Sequence, residues 1–163
     1  MPFRSWLQPR PLFWVTQLVM SDPRIYQGKD LEAMSFAVNY HRWILREIRP
    51  FLGEHVVEVG AGTGNFSELL LREQPETITL LEPSGMFDQL QKRMAATESR
   101  TRVELRNATF REVSRSLAVD ARPDTIVYVN VLEHIEDDQG ELLAAFDSLS
   151  SGGRCIVFVP AFQ

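Results

Sequence analysis

The spacing of apolar residues changes period repeatedly along the chain. His55 to Val59 carries Val at three of its five positions and reads as a short buried strand. Comparable strand-like runs recur at Thr77–Leu81, Arg102–Arg106, Asp124–Val129 and Arg154–Val159. Between them the spacing lengthens to a helical period. Leu31, Met34, Val38, Leu45 and Ile48 make one stripe, so a helix is predicted over Leu31–Ile48, ended by Pro50 and Gly53. A second helix is predicted from about Phe66 to Glu73 with Phe66, Leu69 and Leu70 inward, and a third from about Ser84 with Phe87, Leu90 and Met94 inward. A weaker one spans roughly Arg111 to Leu117. Asp137 or Asp138 caps a last helix with Leu142, Phe146 and Leu149 inward, and Gly152-Gly153 stops it. Strands alternating with helices over short loops imply right-handed βαβ units. The expected architecture is α/β, a doubly wound parallel sheet of about five strands.

Length and composition agree with one such domain. The chain has 163 residues, 44% hydrophobic and 24% charged, enough for a sizeable core. Residues 31–163 form the expected domain. Residues 1–30 are an arm of uncertain structure, broken by Pro2, Pro9, Pro11 and Pro23 yet aromatic at Phe3, Trp6, Phe13 and Trp14. A net charge of −5 does not favour nucleic acid as a partner. Pro11 to Met20 lacks a signal cleavage site, and no run reaches about 18 apolar residues, so a soluble chain off the membrane is expected. The single Cys155, in an apolar run, is expected as a buried thiol, which suits a reducing cytoplasm.

The chemistry gathers after the first strand, where Glu58-Val59-Gly60-Ala61-Gly62-Thr63-Gly64-Asn65 makes a glycine turn leading into a helix. Glycines there let a ligand approach main-chain N–H groups without a Cβ in the way. Asn65 is expected to cap the helix, with Glu68 three residues on completing a capping-box-like pair. The dinucleotide fingerprint would place its third glycine at position 65, so the pattern departs from it. Glu58, two residues before Gly60, suits a cationic ligand better than a pyrophosphate. Ligands of parallel sheets bind beyond the carboxyl ends of the strands. The other notable residues cluster there: Glu82 to Met86, Ala108 to Phe110, and Asn130 to His134.

Glu58-x-Gly60-x-Gly62-x-Gly64, Leu81-Glu82-Pro83-Ser84 and Val131-Leu132-Glu133-His134 together resemble the class I S-adenosylmethionine (SAM)-dependent methyltransferases, most like the bacterial type 12 group, over about Tyr40 to Gln163. The resemblance implies a Rossmann-like fold and SAM as cofactor. It implies Glu58, Gly60, Ala61, Gly62 and Gly64 around the methionine part, Glu82 with Pro83 at the ribose, and Asn130 and Val131 near the reacting end. Met86 is expected to pack on the adenine and Tyr40 to line the pocket from above. Where the family often has Gly-Asp to hold the adenine amino group, this chain has Ala108-Thr109. Methyl transfer needs alignment first, and a base only when the acceptor must lose a proton. His134 and His41 are the candidates, with His134 taken as the catalytic one or as a pocket wall. No metal cluster stands out.

The expected activity is methyl transfer from SAM to a small-molecule acceptor. The alternative is a non-catalytic SAM-binding module completed by another chain, because the family's sheet continues with a helix and an antiparallel strand pair beyond the fifth strand. An NAD(P) dehydrogenase is a distant third reading. The fifth strand, Cys155 to Val159, is apolar throughout and is expected at a sheet edge. A second copy of the chain or the aromatic arm would then cover it, giving a homodimer or an ordered arm.

Overall fold

The structure, a computed structural model, describes residues 38–115 and 122–160. The strands are β1 (His55–Val59), β2 (Thr77–Leu81), β3 (Arg102–Arg106), β4 (Thr125–Val129) and β5 (Arg154–Phe158). The helices are α1 (Val38–Ile48), α2 (Ser67–Arg72), α3 (Phe87–Ala96), α4 (Phe110–Ser114) and α5 (Asp138–Ser148). The strands form one parallel sheet in the order β3-β2-β1-β4-β5. β1 is central, with Val57 opposite Thr79 of β2 on one side and Ile126 of β4 on the other. The order reverses between β1 and β4, and that is where doubly wound sheets bind ligands.

Alternation along the strands splits the core into two layers. Val56, Ile78, Leu80 and Val127 face α1, α2 and α3, where Ile44, Leu70, Leu90 and Met94 meet them. Val57, Leu81, Ile126 and Tyr128 face the other side, where Phe110 of α4 and Ala145 of α5 cover them. Central strands buried on both faces read as continuous apolar runs, which is why β1 and β4 stand out in the sequence. At the amino ends, Asp124 ties β1 to β4. Its Oδ2 accepts the N–H groups of Glu54 and His55 at 2.8 and 3.0 Å, and its Oδ1 accepts the Thr125 hydroxyl at 2.8 Å. No helix among the described residues is long and apolar enough to cross a membrane.

Three expectations need correction. Leu142 and Phe146 do not point inward: α5 buries Glu141, Ala145 and Ser148, while Phe146 is 74% exposed. The cause is Tyr128, whose hydroxyl is buried against α5 and donates to Glu141 Oε1 at 3.1 Å. An unpaired hydroxyl there would cost more than leaving a Leu in water. Cys155 is exposed, because it lies on the outermost strand, β5, which has a neighbour on one side only among the described residues. Asn65 caps nothing. The helix begins at Ser67 with no side-chain cap, and Asn65 Oδ1 instead accepts the Arg93 guanidinium at 2.5 Å. Glu68 likewise pairs with Arg93, at 3.5 Å. A charged donor outcompetes a backbone amide for that oxygen. Asp137 does cap α5, accepting Gly140 N–H at 3.0 Å. Residues 31–37 of the first predicted helix, Leu117 and the amino-terminal arm lie outside the described residues.

Candidate functional site

β1 delivers its carboxyl end into a turn with φ of 70°, 57° and 85° at Gly60, Gly62 and Gly64. Ala61 N–H is held by Leu81 C=O at 2.9 Å, and Ala61 C=O accepts Gly64 N–H at 2.9 Å. The outer two glycines are packed tightly. A Cβ on Gly60 would stand 2.5 Å from Val131 Cγ2, and one on Gly64 would meet Leu90, Met94 and Arg93 at about 3 Å. Gly62 differs, for a Cβ there would meet nothing within 4 Å. The turn is therefore clamped at both ends and open in the middle, on the side a ligand would use.

Two acidic side chains flank the opening. Glu82 directly follows β2 and is 4% exposed. Its Oε2 accepts Gly62 N–H and its Oε1 accepts Ser84 N–H, each at 2.8 Å. These bonds fix the carboxyl against the turn and leave lone pairs free on both oxygens. Glu58, near the end of β1, is 3% exposed and accepts the Ser67 hydroxyl at 2.5 Å. Its other oxygen has no hydrogen-bond partner among the described residues. Burial pushes the Glu58 carboxyl up to about 8; the Ser67 hydrogen bond opposes the rise and the nearby Glu82 adds to it. Neither acid has a Lys or Arg within ion-pair distance among the described residues. Buried acids without basic partners are uncommon and call for a cation or for hydroxyl donors.

The β4 end supplies the remaining wall. Asn130 adopts a left-handed φ of 54°, and its N–H is held by Phe158 C=O at 2.8 Å. Tyr40 of α1 donates its hydroxyl to Asn130 Oδ1 at 3.3 Å, so α1 closes over the end of the sheet. Tyr40 and Trp43 also pack edge-on against Phe158. His41 packs on Phe66 beside the glycine turn, and burial lowers its pKa below the ordinary 6.5. Val131 is half-buried against Gly60, and His134 is exposed at the end of the 3-10 turn Leu132–His134. Pro83 is exposed and Met86 half-buried at the start of α3.

Ala108 and Thr109 stand at the β3 end, but the Thr109 hydroxyl is engaged. It belongs to a capping box with Glu112 that starts α4. All the residues singled out in the sequence thus come to the carboxyl end of the sheet. Ser67 was missed. It is fully buried and bound to Glu58, and its only signal is a polar residue heading the apolar run Leu69-Leu70-Leu71. A concavity of about 690 Å³ lies at the opposite end of the sheet, lined by Arg72, Gln74, Thr97 and Glu98, with neither Glu58 nor Glu82 in it.

Comparison with known proteins matches this arrangement to one family. Residues 19–162 match the family model described as a methyltransferase domain. An uncharacterised methyltransferase of Geobacillus sp. (strain WCH70) is 31% identical over 134 residues, which make up 81% of this chain and 58% of that protein. The glycopeptide N-methyltransferase MtfA, solved with S-adenosyl-L-methionine, superimposes with a TM-score of 0.57 at 26% identity, over 74% of this chain and 53% of MtfA. The CcbJ methyltransferase from Streptomyces caelestis has a TM-score of 0.59 at 23% identity, over 72% of this chain and 47% of its own, and shows the likeness of fold alone. The chain therefore spans about half the length of these relatives. Its five-stranded parallel sheet is the Rossmann-like fold of these neighbours, and by the extent of the domain match the chain belongs to the methyltransferase domain family.

Proposed function

We propose that the chain is a SAM-dependent methyltransferase acting on a small molecule, with its cofactor seated on the glycine turn. The carrying observation is the pair of buried acids, Glu58 and Glu82, flanking an open Gly62 with no basic partner among the described residues. SAM matches that pair in kind, with an ammonium for Glu58 and two ribose hydroxyls for Glu82. When bound, it supplies a methyl group on a sulfonium, already activated for displacement. The chain's own residues then align the partners and keep water out. Gly60 to Gly64 receive the methionine part, Met86 packs near the adenine, and Ala108 and Thr109 offer backbone groups to it. Asn130, fixed by Tyr40, and Val131 border the reacting end. His134 takes the proton where an acceptor must lose one.

Titration calorimetry tests this reading. S-adenosylhomocysteine should bind and NAD should not. Glu82→Ala should weaken binding by about 1–3 kcal/mol, because two hydroxyls lose a charge-assisted acceptor. Unchanged affinity in that variant refutes the ribose assignment, and NAD binding without S-adenosylhomocysteine binding refutes the cofactor. A second reading is supported by the uncovered apolar residues of α5 and β5: a SAM-binding unit that works only with another polypeptide. That unit would bind cofactor normally yet transfer no methyl group to any acceptor by itself.

A further inference from the structure

Glu58 raises a question that its role as a ligand contact does not answer: how a buried acid waits for a cation. We propose that Glu58 stands in the free protein as a neutral carboxylic acid hydrogen-bonded with Ser67, and that it gives its proton to solvent when a ligand ammonium seats against it. The proposal rests on the reading of the site as one for an amino-acid-bearing nucleoside, and adds to it that binding is coupled to proton release.

The surroundings of Glu58 leave little choice. From β2 it faces Glu82, a like-charged neighbour. From α2 it meets Ser67, which supplies its one side-chain hydrogen bond among the described residues. From β4 the residue in register is Val127, fully buried and apolar. On α1, the helix over this side of the sheet, the titratable groups at the carboxyl end are Tyr40 and His41, and burial keeps His41 toward its neutral form. Arg93 of α3 is spent on Asn65 and Glu68. No cation on any of these elements can pay the cost of an ionised carboxyl, so the proton stays. Burial is the largest cause holding the group near 8, which agrees with that geometry.

An arriving ammonium reverses the balance. The O–H bond of Glu58 breaks, its proton passes to buffer, the ligand keeps all its N–H bonds, and a carboxylate–ammonium pair remains. No electrons change hands. Below the pKa of the free acid, roughly one proton should leave per ligand bound. Affinity should then rise about tenfold per pH unit, levelling off as pH passes that pKa.

Two measurements test this. Calorimetry near pH 6.5 in two buffers of different ionisation enthalpy counts the protons, using S-adenosylhomocysteine and 5′-methylthioadenosine, a nucleoside without the ammonium. About one proton should be released with the first and none with the second. Glu58→Gln should abolish the release and the pH slope for S-adenosylhomocysteine. Release of no proton by S-adenosylhomocysteine, with a flat pH profile, overturns the coupling and leaves the site reading intact. Binding of neither ligand overturns the site reading and the coupling with it. Independently of any ligand or variant, the carboxyl carbon-13 shift of Glu58 in the free protein should report a protonated acid near pH 6.5. An ionised Glu58 there overturns the proposal.

Discussion

At the scale of a residue, Glu58 sets folding against binding. In the unfolded chain its carboxyl ionises near the ordinary 4.5, and in the folded chain it stays protonated to about 8. A raised acid pKa makes its contribution to stability complete below 4.5, and that contribution is lost as pH climbs towards 8. Each pH unit in the window costs the fold up to about 1.4 kcal/mol. The free protein should therefore melt at progressively lower temperature from about pH 5 to pH 8. Glu58→Gln should flatten this slope and add about 1–3 kcal/mol at pH 7, since its amide needs no proton. Thermal melts across the range decide it, and a flat wild-type profile refutes it. The motif that holds Glu58 was legible because three alternating glycines and a preceding acid stand close together in sequence. Ser67, nine residues away on the next helix, was not, because only the fold brings its hydroxyl to the carboxyl. Asn65 misled for a related reason: its competing partner, Arg93, comes from 28 residues further on.

At the scale of elements, every strand was legible: β1, β2 and β4 as short, mostly apolar runs buried in a parallel sheet, β3 by its alternation of charged and apolar residues. The facing of α5 was not. Leu142, Phe146 and Leu149 recur at helical spacing and suggest an inner stripe, but the stripe one residue earlier, Glu141, Ala145 and Ser148, faces the sheet. A polar residue at its head disguises it, and only Tyr128 explains why a Glu belongs there. Burial raises the Tyr128 pKa well above the ordinary 10, and burial likewise raises that of Glu141. The small side chains let α5 approach β4 closely, with Ala145 fully buried. Ala145→Leu should therefore overpack the contact and cost about 1–3 kcal/mol. Leu143→Ala, at a position 62% exposed, should cost well under 1 kcal/mol. Urea midpoints compare the two, and equal losses would show that the helix faces the other way.

At the scale of the whole molecule, the two edges of the sheet differ. The β3 edge carries Arg102, Glu104 and Arg106 outward, with Arg106 paired to Glu104. Charges of this kind discourage another strand from adding. The β5 edge carries Cys155, Val157 and Val159 outward. Arg154 N–H and Phe158 C=O point to the β4 side, so the backbone groups of Cys155 and Val157 point away from the sheet. Exposed Leu143 and Phe146 of α5 add to this apolar surface. An uninterrupted apolar run is by itself the mark of a central strand, and that α5 leaves Leu143 and Phe146 exposed beside this edge was not legible in the sequence. We expect light scattering at micromolar concentration to give a mass above that of one chain, and Phe146→Glu with Val157→Lys to lower it to one. A monomeric wild type, or a mass unmoved by the variant, would reject association through this edge.

The central place of β1 has a consequence in time. Its first neighbour, β2, follows closely: Val57 pairs with Thr79, 22 residues on (79 − 57). Its second, β4, comes much later: Val57 also pairs with Ile126, 69 residues on (126 − 57). At synthesis rates of about 5–20 residues per second, the free side of β1 waits roughly 3–14 s for its partner to leave the ribosome. During that wait the central strand of the sheet lacks its neighbour on one side. Soluble yield should then depend on how fast the stretch between the two strands is translated and on what shields the nascent chain meanwhile, although neither leaves any mark on the finished fold.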